Sequence, residues 1–328
     1  MAGQGNDPAT MTNPPALSIV VPVYNEARAV RKTGRAIREV LGRLATGSEA
    51  IFVDDGSTDG SAEVLAELAA AEPDRFRVLR HRRNRGYGAA LKTGIRTARN
   101  ELVGICDADG TYPVDKLFDL AQSAEDEGAE MVIGARPPWE QPYARRPAKW
   151  VLRRLAEHLT GERIPDMNSG LRVFRRAEAM RLWGLLPDGF SFTTTITMAL
   201  LTEGAGVKFL PVTYRRRVGS SKIRPLRDTG GFLLLICRTA LAFNPLRVFG
   251  PAGGLLLGLG VLMLLARVVA PEPFGLATTI LLIVGGLQVL AIGLLADLIN
   301  RRGSAPERGA DFARPQVGFQ TTEESRNE

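Results

Sequence analysis

Leu17–Glu26 reads LSIVVPVYNE, and this stretch decides the fold. Leu17 to Val23 is a run of aliphatic and β-branched residues without a polar alternation, so it predicts a strand buried on both faces. Val30, Ile37, Leu41 and Leu44 then recur at helical spacing, which gives that strand a covering amphipathic helix. The unit repeats along the chain. Ala50–Val53 predicts a second strand, followed by a helix with Val64, Leu65 and Leu68 on one face. Phe76–Leu79, Leu102–Ile105 and Met131–Ile133 continue the strands, with helices near Ala89–Arg99 and Pro113–Glu127. This alternation predicts an α/β domain whose mostly parallel sheet is covered by helices on both sides. Ligands in such folds bind at the carboxyl ends of the strands, where the polar motifs of this chain fall.

The 328 residues are 45% hydrophobic and 23% charged, which excludes collagen-like, disordered and disulfide-rich classes. The net charge of +7 favours an anionic partner, and its placement along the chain must say which one. Only Cys106 and Cys237 are present, far apart in apolar surroundings, and residues 1–15 hold no apolar run suited to a signal peptide. A reducing, cytosol-facing domain is expected.

Composition changes near Asp228. Val248–Ala266 and Phe274–Ala296 are uncharged apolar stretches of 19 and 23 residues, enough at ~1.5 Å per residue to cross a hydrocarbon layer ~30 Å thick. Nothing else in the chain is large and apolar enough to cover them as a soluble hairpin. Residues 201–247 carry nine Lys or Arg against Glu203 and Asp228, and Arg301 and Arg302 follow the second stretch. The positive-inside rule therefore places both ends and the large domain in the cytoplasm of a two-span protein of the cell membrane. Gly231–Phe243 is too short to span, and suits an interfacial helix or a core helix. The expected organisation is a disordered tail at 1–15, an α/β domain at 16–228, an interfacial amphipathic helix at 229–245, a membrane hairpin at 246–299 and a disordered cytoplasmic tail at 300–328. Gly253, Gly254, Gly258, Gly260, Gly285 and Gly286 permit close helix packing, inside the hairpin or between copies of the chain.

Three polar segments sit at predicted strand ends. Pro22-Val23-Tyr24-Asn25-Glu26 ends the first strand, and Asp54-Asp55-Gly56-Ser57-Thr58-Asp59-Gly60 ends the second. An acidic pair there can accept hydrogen bonds from a base or ribose, or can simply cap a helix. Asp107-Ala108-Asp109 follows the apolar strand Leu102–Ile105. Two carboxylates at this spacing can share a hard divalent cation that bridges a nucleotide diphosphate. Gly86-Tyr87-Gly88-Ala89-Ala90-Leu91 lacks the third glycine of a dinucleotide fingerprint, and no Walker loop occurs. Arg80–Arg99 holds seven Arg or Lys and no acid, which fits a phosphate-facing surface or a solvated basic helix.

In order and spacing, SIVVPVYNEA, VDDGSTD, NRGYGAALKTGI and DADG resemble the family 2 glycosyltransferases of the GT-A fold. IPDMNSGLRVFRR and RRRVGSSKIRP, followed by two spans, resemble its polyprenyl-phosphate glycosyltransferase branch, which includes dolichol-phosphate mannosyltransferases. The resemblance covers roughly residues 17–300. It implies inverting transfer of one sugar from a UDP- or GDP-sugar to a membrane polyprenyl phosphate, with Mg²⁺ or Mn²⁺. By motif, it implies nucleotide contacts at Pro22, Tyr24, Glu26, Val53 and Asp55, and donor contacts at Asp107, Ala108 and Asp109, with Asp107 and Asp109 on the metal. It further implies catalytic roles for Asp109, Asp166, Arg172 and Arg136, and acceptor or phosphate contacts at Arg136, Ser169, Arg172, Arg217 and Lys222. The mannosyltransferases often carry a third metal ligand, Gln, where this chain has Thr111.

The residue chemistry agrees with that implication. His81 and His158 are the only histidines and neither lies in the acidic motifs, which leaves a His-based triad without support. A phosphate monoester already carries about 1.5 to 2 negative charges near neutral pH, so it needs orientation and charge neutralisation more than a general base. Arginine and lysine supply both. Arg215, Arg216, Arg217, Lys222, Arg224 and Arg227 could draw in one anionic headgroup or anchor the domain on a lipid surface. A processive polysaccharide synthase would show a Gln-x-x-Arg-Trp motif and more spans, and a non-catalytic lipid-binding scaffold would not need intact acidic motifs. No nucleic-acid-binding module is recognisable.

Overall fold

The computed structural model describes residues 13–136, 146–214, 245–269 and 275–303. The chain runs β1 (Leu17–Val23), α1 (Ala27–Leu41), β2 (Glu49–Asp54), α2 (Ser61–Ala71), β3 (Phe76–Arg80), α3 (Tyr87–Thr97), β4 (Leu102–Ile105), α4 (Lys116–Asp126), β5 (Met131–Ala135), α5 (Arg146–Thr160), β6 (Arg172–Arg175), α6 (Arg176–Arg181), α7 (Phe192–Thr202) and β7 (Val207–Pro211). Two long helices follow, α8 (Leu246–Val269) and α9 (Leu276–Gly303).

Among the described residues one seven-stranded sheet has the order β3-β2-β1-β4-β6-β5-β7. All neighbours are parallel except β6, which runs antiparallel to β4 and β5. Successive side chains of a strand point to opposite faces, and β1 divides its residues accordingly. Leu17, Ile19, Val21 and Val23 pack with Val30 and Ile37 of α1 and Leu117 and Leu120 of α4. Val20 packs on the other face with Leu91 and Ile95 of α3, Ala179 of α6 and Phe192 and Ile196 of α7. Gly88 and Gly94, in the segment that lacks a dinucleotide fingerprint, serve packing. A Cβ on Gly94 would lie 2.3 Å from Val20 Cγ1, and one on Gly88 would lie 2.2 Å from Pro187 O.

The first five strands and four helices fall where the sequence predicts, within a few residues. The sequence reading did not include β6, β7 or α5–α7. The β6 segment has only four residues, two of them arginines. In α7, Phe192–Leu201 is buried throughout, so no polar stripe marks it as a helix.

The antiparallel β6 is what assembles the site. Arg172 at its start pairs with Ile105 at the end of β4 and with Ile133 near the end of β5. The loop before β6 therefore lies on the carboxyl ends of β4 and β5. Because β7 runs parallel to β5, with Ala135 opposite Pro211, the residues after β7 arrive at the same edge.

The apolar spans of α8 and α9, Leu246–Arg267 and Leu276–Ile299, are 22 and 24 residues long, or roughly 33 and 36 Å at the helical rise. Of an 18-residue apolar stretch in each, only 11% and 17% is buried within the protein. A core helix of a soluble protein would be covered, whereas Leu255, Leu262 and Leu281 are more than 60% exposed. The two helices pack on each other through glycines: a Cβ on Gly253 would meet Leu290, one on Gly260 Ile283 and one on Gly293 Phe249. They form an antiparallel hairpin with the length and outward apolar surface of a membrane anchor. Arg247 ties it to the α/β domain, donating from Nη1 to Leu159 O at 3.0 Å, while Val248 packs on Ala156, Leu159 and Ile164. The expected interfacial segment lies, except for Pro245, outside the described residues, as do the 1–12 part of the N-terminal tail and the tail from 304.

Candidate active site

The loops after β1 and β2 are laced together at the carboxyl end of the sheet. The main-chain N–H groups of Asn25, Glu26 and Ala27 donate to Ser57 Oγ (3.0 Å), Ser61 Oγ (2.9 Å) and Asp59 Oδ2 (3.1 Å). Asn25 holds a left-handed φ of 55° and accepts from Thr58 N through Oδ1 at 2.8 Å. The strain of that backbone is offset by the hydrogen bond it permits. Tyr24 is left exposed, with Glu26 half-buried beside it.

Asp55 organises a third loop. Its Oδ1 accepts from Arg85 N (2.9 Å) and faces His81 Nδ1 (2.6 Å), and its Oδ2 accepts from Gly86 N (2.8 Å). The expected nucleotide ligand is thus first a clamp on residues 81–86. Val53 is fully buried in the core beneath the loops and Pro22 is half-buried. The basic stretch resolves into structural pairs and free surface. Arg80 Nε lies 3.1 Å from Asp54, Lys92 bonds Asp188 at 2.8 Å, and Arg99 Nε lies 3.8 Å from Glu49, whereas Arg82, Arg83 and Arg85 are exposed.

Asp107 and Asp109 are half-buried after β4. Tyr87, at the start of α3, donates its hydroxyl to Asp107 Oδ1 at 2.8 Å. Gly170 closes the other side: a Cβ there would lie 2.9 Å from Asp107 Oδ2 and 2.9 Å from the Tyr112 hydroxyl. Asp109 Oδ1 accepts from Thr111 N at 3.0 Å and from Thr111 Oγ1 at 2.5 Å. Ala108 is buried, its carbonyl accepting from Thr33 Oγ1 at 3.0 Å. Burial, reinforced by the Asp107 charge, pushes the Tyr87 and Tyr112 phenols well above the usual tyrosine range. Both stay protonated donors. Burial likewise raises the Cys106 thiol, with Asp107 and Asp109 adding to it, so that thiol is unreactive.

Arg136 follows β5 and forms a fork on Asp166, with Nε to Oδ2 at 2.7 Å and Nη2 to Oδ1 at 3.2 Å. Both Asp166 carboxylate oxygens are engaged by Arg136. Burial opposes the charge of Arg136, but the hydrogen bond and charge of Asp166 outweigh it and raise the guanidinium further. The Arg136 guanidinium also lies 5.0 Å from the Tyr214 ring centre. The Tyr214 hydroxyl meets Ser169 Oγ at 2.6 Å and donates to Gly134 O at 3.2 Å.

Arg172, expected at phosphate, lies inside the domain. It is fully buried, with Nε on Ser169 O at 3.0 Å and Nη1 on Thr193 O and Thr197 Oγ1, each at 2.9 Å. Burial lowers its pKa, although a guanidinium remains charged. In this arrangement it braces the 166–170 loop against α7. Ser169 is also fully buried. Arg217 and Lys222 lie outside the described residues.

The structure therefore brings Asp107, Ala108, Asp109, Arg136, Asp166 and Ser169 together at one edge. Residues missing from the sequence reading are Tyr87, Tyr112, Gly170 and Tyr214, which shape and hold that edge. Among the described residues no cluster of three His, Cys, Asp or Glu side chains could form a complete metal cage. Asp107 and Asp109 do fit Mg²⁺ or Mn²⁺, which use one or two carboxylates and take their remaining oxygens from phosphate and water.

Residues 18–183 match glycosyl transferase family 2, and residues 244–301 match the GtrB C-terminal hairpin. The chain is 28% identical over 301 residues to undecaprenyl-phosphate 4-deoxy-4-formamido-L-arabinose transferase of Klebsiella pneumoniae, covering 89% of this chain and 90% of that one. It is 30% identical over 237 residues to polyprenol monophosphomannose synthase of Mycolicibacterium smegmatis, covering 67% and 86%. In fold it is similar to glucosyl-3-phosphoglycerate synthase of Mycobacterium tuberculosis. The form with Mn²⁺, UDP and glucosyl-3-phosphoglycerate gives a TM-score of 0.52 at 18% identity, covering 69% of this chain and 79% of that one. The form with Mg²⁺ and UDP gives 0.54 at 18%, covering 69% and 78%. With a family match across half its length and these relatives, the chain belongs to glycosyl transferase family 2 and is a glycosyltransferase of the GT-A fold.

Proposed function

We propose that this glycosyltransferase moves one sugar from a nucleoside diphosphate sugar to the phosphate of a membrane polyprenol, with inversion at the anomeric carbon. The observation that carries the reading is a site with paired carboxylates and a fixed arginine in a domain joined through Arg247 to a membrane-length hairpin. The names of the relatives, both polyprenyl-phosphate sugar transferases, support the acceptor class.

The loops at Pro22–Glu26 and Asp55–Asp59 hold the nucleotide, and Asp107 and Asp109 would hold Mg²⁺ or Mn²⁺. When bound, such a cation neutralises the diphosphate and favours its departure. Tyr87 fixes the Asp107 rotamer as a permanent donor. Arg136, held by Asp166, receives the acceptor phosphate as an oriented cation, and Arg217 and Lys222 add charge from the segment before the hairpin. A phosphate oxygen then attacks the anomeric carbon from the face opposite the leaving group. The new C–O bond forms as the bond to the diphosphate breaks, and the nucleoside diphosphate leaves. No proton needs to be removed, because the acceptor phosphate is already ionised. A polyprenol costs ~0.8 kcal/mol per CH₂ to lift from the bilayer, so the enzyme is brought to the lipid. Arg301 and Arg302, at the end of α9, support a topology with the catalytic domain and both termini in the cytoplasm.

The test supplies membranes containing the chain with an α-linked nucleotide sugar and either polyprenyl phosphate or the free polyprenol. Product from the phosphate alone, with a β linkage by NMR, is expected. Product from the free alcohol, or a retained α linkage, would overturn the reading.

A further inference from the structure

A cavity of about 340 Å³ lies on α5 and the loop that follows it, walled by Arg153, Arg154, Glu157, Arg163, Ile164 and Pro165. That volume is within the ~300–1,000 Å³ of small-molecule sites. None of Asp107, Asp109 and Arg136 lines it. The segment before β6 divides the two places. Asp166 is buried and turned onto Arg136, whereas its neighbour Pro165 is exposed and lines the cavity.

The charge of the wall is unbalanced, with three arginines against one glutamate. Arg153 Nε lies 3.8 Å from Glu157 Oε1 and Arg154 Nη1 lies 3.6 Å from Glu157 Oε2, both longer than a hydrogen bond. Glu157 Oε1 instead accepts from Ile164 N at 3.3 Å. Arg153 Nε is shielded from water and lacks a hydrogen-bond partner among the described residues. Arg163 is exposed, and among the described residues it has no ion pair or hydrogen bond. A shielded donor without an acceptor is costly, and guanidinium groups complement phosphate oxygens. The cavity therefore suits a phosphate group.

Position says which phosphate. Ile164 belongs to this wall and also to the small core on which Val248 packs, and Arg247 donates to Leu159 O near the end of α5. Val248 is the third residue of the apolar span that starts at Leu246. One buried side chain thus separates the cavity from the point where the hairpin enters the membrane. A bilayer ~40–45 Å thick around a ~30 Å core leaves ~5–8 Å of headgroups on each side, a layer into which arginine side chains extend. A phosphate held here is walled off from Asp107 and Asp109, so it is not the one that reacts. We propose that the cavity holds the phosphodiester headgroup of one anionic phospholipid, seated at the joint between the catalytic domain and its hairpin.

This inference rests on the membrane reading of the hairpin, and the test separates the two. The full-length chain is first floated with phosphatidylcholine vesicles. It is then moved to non-ionic detergent, and lipid bound to the intact protein is counted by mass spectrometry while phosphatidylglycerol or phosphatidylcholine is titrated in. Wild type should bind one phosphatidylglycerol saturably and phosphatidylcholine roughly tenfold more weakly, and excess inorganic phosphate should not displace the lipid. The double variant Arg153→Gln, Arg163→Gln should weaken phosphatidylglycerol roughly ten- to thirtyfold, the effect of two basic groups at an anionic lipid surface. It should keep its melting temperature and its transfer rate. Glu157→Gln, which removes the one acid, should tighten binding severalfold. Unchanged binding in the double variant, equal binding of phosphatidylcholine, or displacement by inorganic phosphate overturns the inference and leaves the membrane reading standing. Loss of transfer together with lipid binding in the double variant also overturns it, by making the cavity the acceptor's. Failure of the wild type to float overturns both readings.

Discussion

Tyr87 donates its hydroxyl to Asp107 Oδ1 at 2.8 Å across a sequence separation of 20 residues, linking the start of α3 to the acidic pair. A hydrogen bond to a charged group contributes about 1.5–3 kcal/mol. Tyr87→Phe should therefore lower kcat/KM for the nucleotide sugar roughly 10- to 100-fold and raise the divalent-ion concentration needed for half-maximal rate. Steady-state kinetics across a metal titration checks this, and unchanged metal dependence would remove Tyr87 from the site.

Gly170 leaves no room for a side chain, because a Cβ would lie 2.9 Å from Asp107 Oδ2. Gly170→Ala must displace the carboxylate or the loop, and a small misplacement at a reacting centre can cost on the order of 100-fold. Gly184, where a Cβ meets nothing within 4 Å, provides the control. Transfer by Gly170→Ala should fall at least tenfold with Gly184→Ala unchanged; equal rates in the two would contradict the cage around Asp107.

Arg172 and Asp109 should separate stability from chemistry. Arg172→Met leaves the Ser169 carbonyl without its buried donors and Thr197 Oγ1 without the one that Arg172 supplies, while the Thr193 carbonyl keeps Thr197 Oγ1, at about 1–3 kcal/mol for each group left unpaired. A thermal melt in detergent should drop by roughly 5–15 °C. Asp109→Asn should melt as wild type yet lose transfer at least ~100-fold. A stable Arg172→Met protein that fails only with the acceptor would instead give Arg172 a direct role at phosphate.

Sequence carried the parallel half of the fold well, because β1 to β5 are apolar runs separated by helices with a clear stripe. It failed where burial is complete or elements are short, as in α7 and the four-residue β6. The acidic pair was legible as chemistry, since few structural needs call for Asp-Ala-Asp at a strand end. The burial of Arg172 was not legible, because an arginine that braces a loop and an exposed one look alike in sequence. Tyr87, Gly170 and Tyr214 were invisible for a different reason. Gly170 arrives with the loop before β6, Tyr214 with the residues after β7 and Tyr87 with the start of α3, so three distant segments meet at the end of β4 and leave no local pattern behind.

Alkaline pH offers a test of the buried tyrosines. Burial raises Tyr87, Tyr112 and Tyr214, with Asp107 adding to the first two and Asp166 to the third. A phenol whose pKa is raised on folding stabilises the fold fully below its unfolded value of ~10, and this contribution is lost as pH climbs toward the folded value. Stability should thus decline above about pH 10, and absorbance at the phenolate band should show these three tyrosines ionising late, together with unfolding. Reversible ionisation of all five tyrosines near pH 10 in folded protein would contradict their burial.

The central claim is most directly tested by offering the detergent-solubilised chain polyprenyl phosphate with a panel of radiolabelled UDP- and GDP-sugars, with and without Mg²⁺ or Mn²⁺. The account predicts a lipid-linked sugar from one donor, formed only with the divalent ion and abolished in Asp109→Asn. Folded protein that yields no lipid-linked product from any donor, or yields it equally well in EDTA, would contradict it.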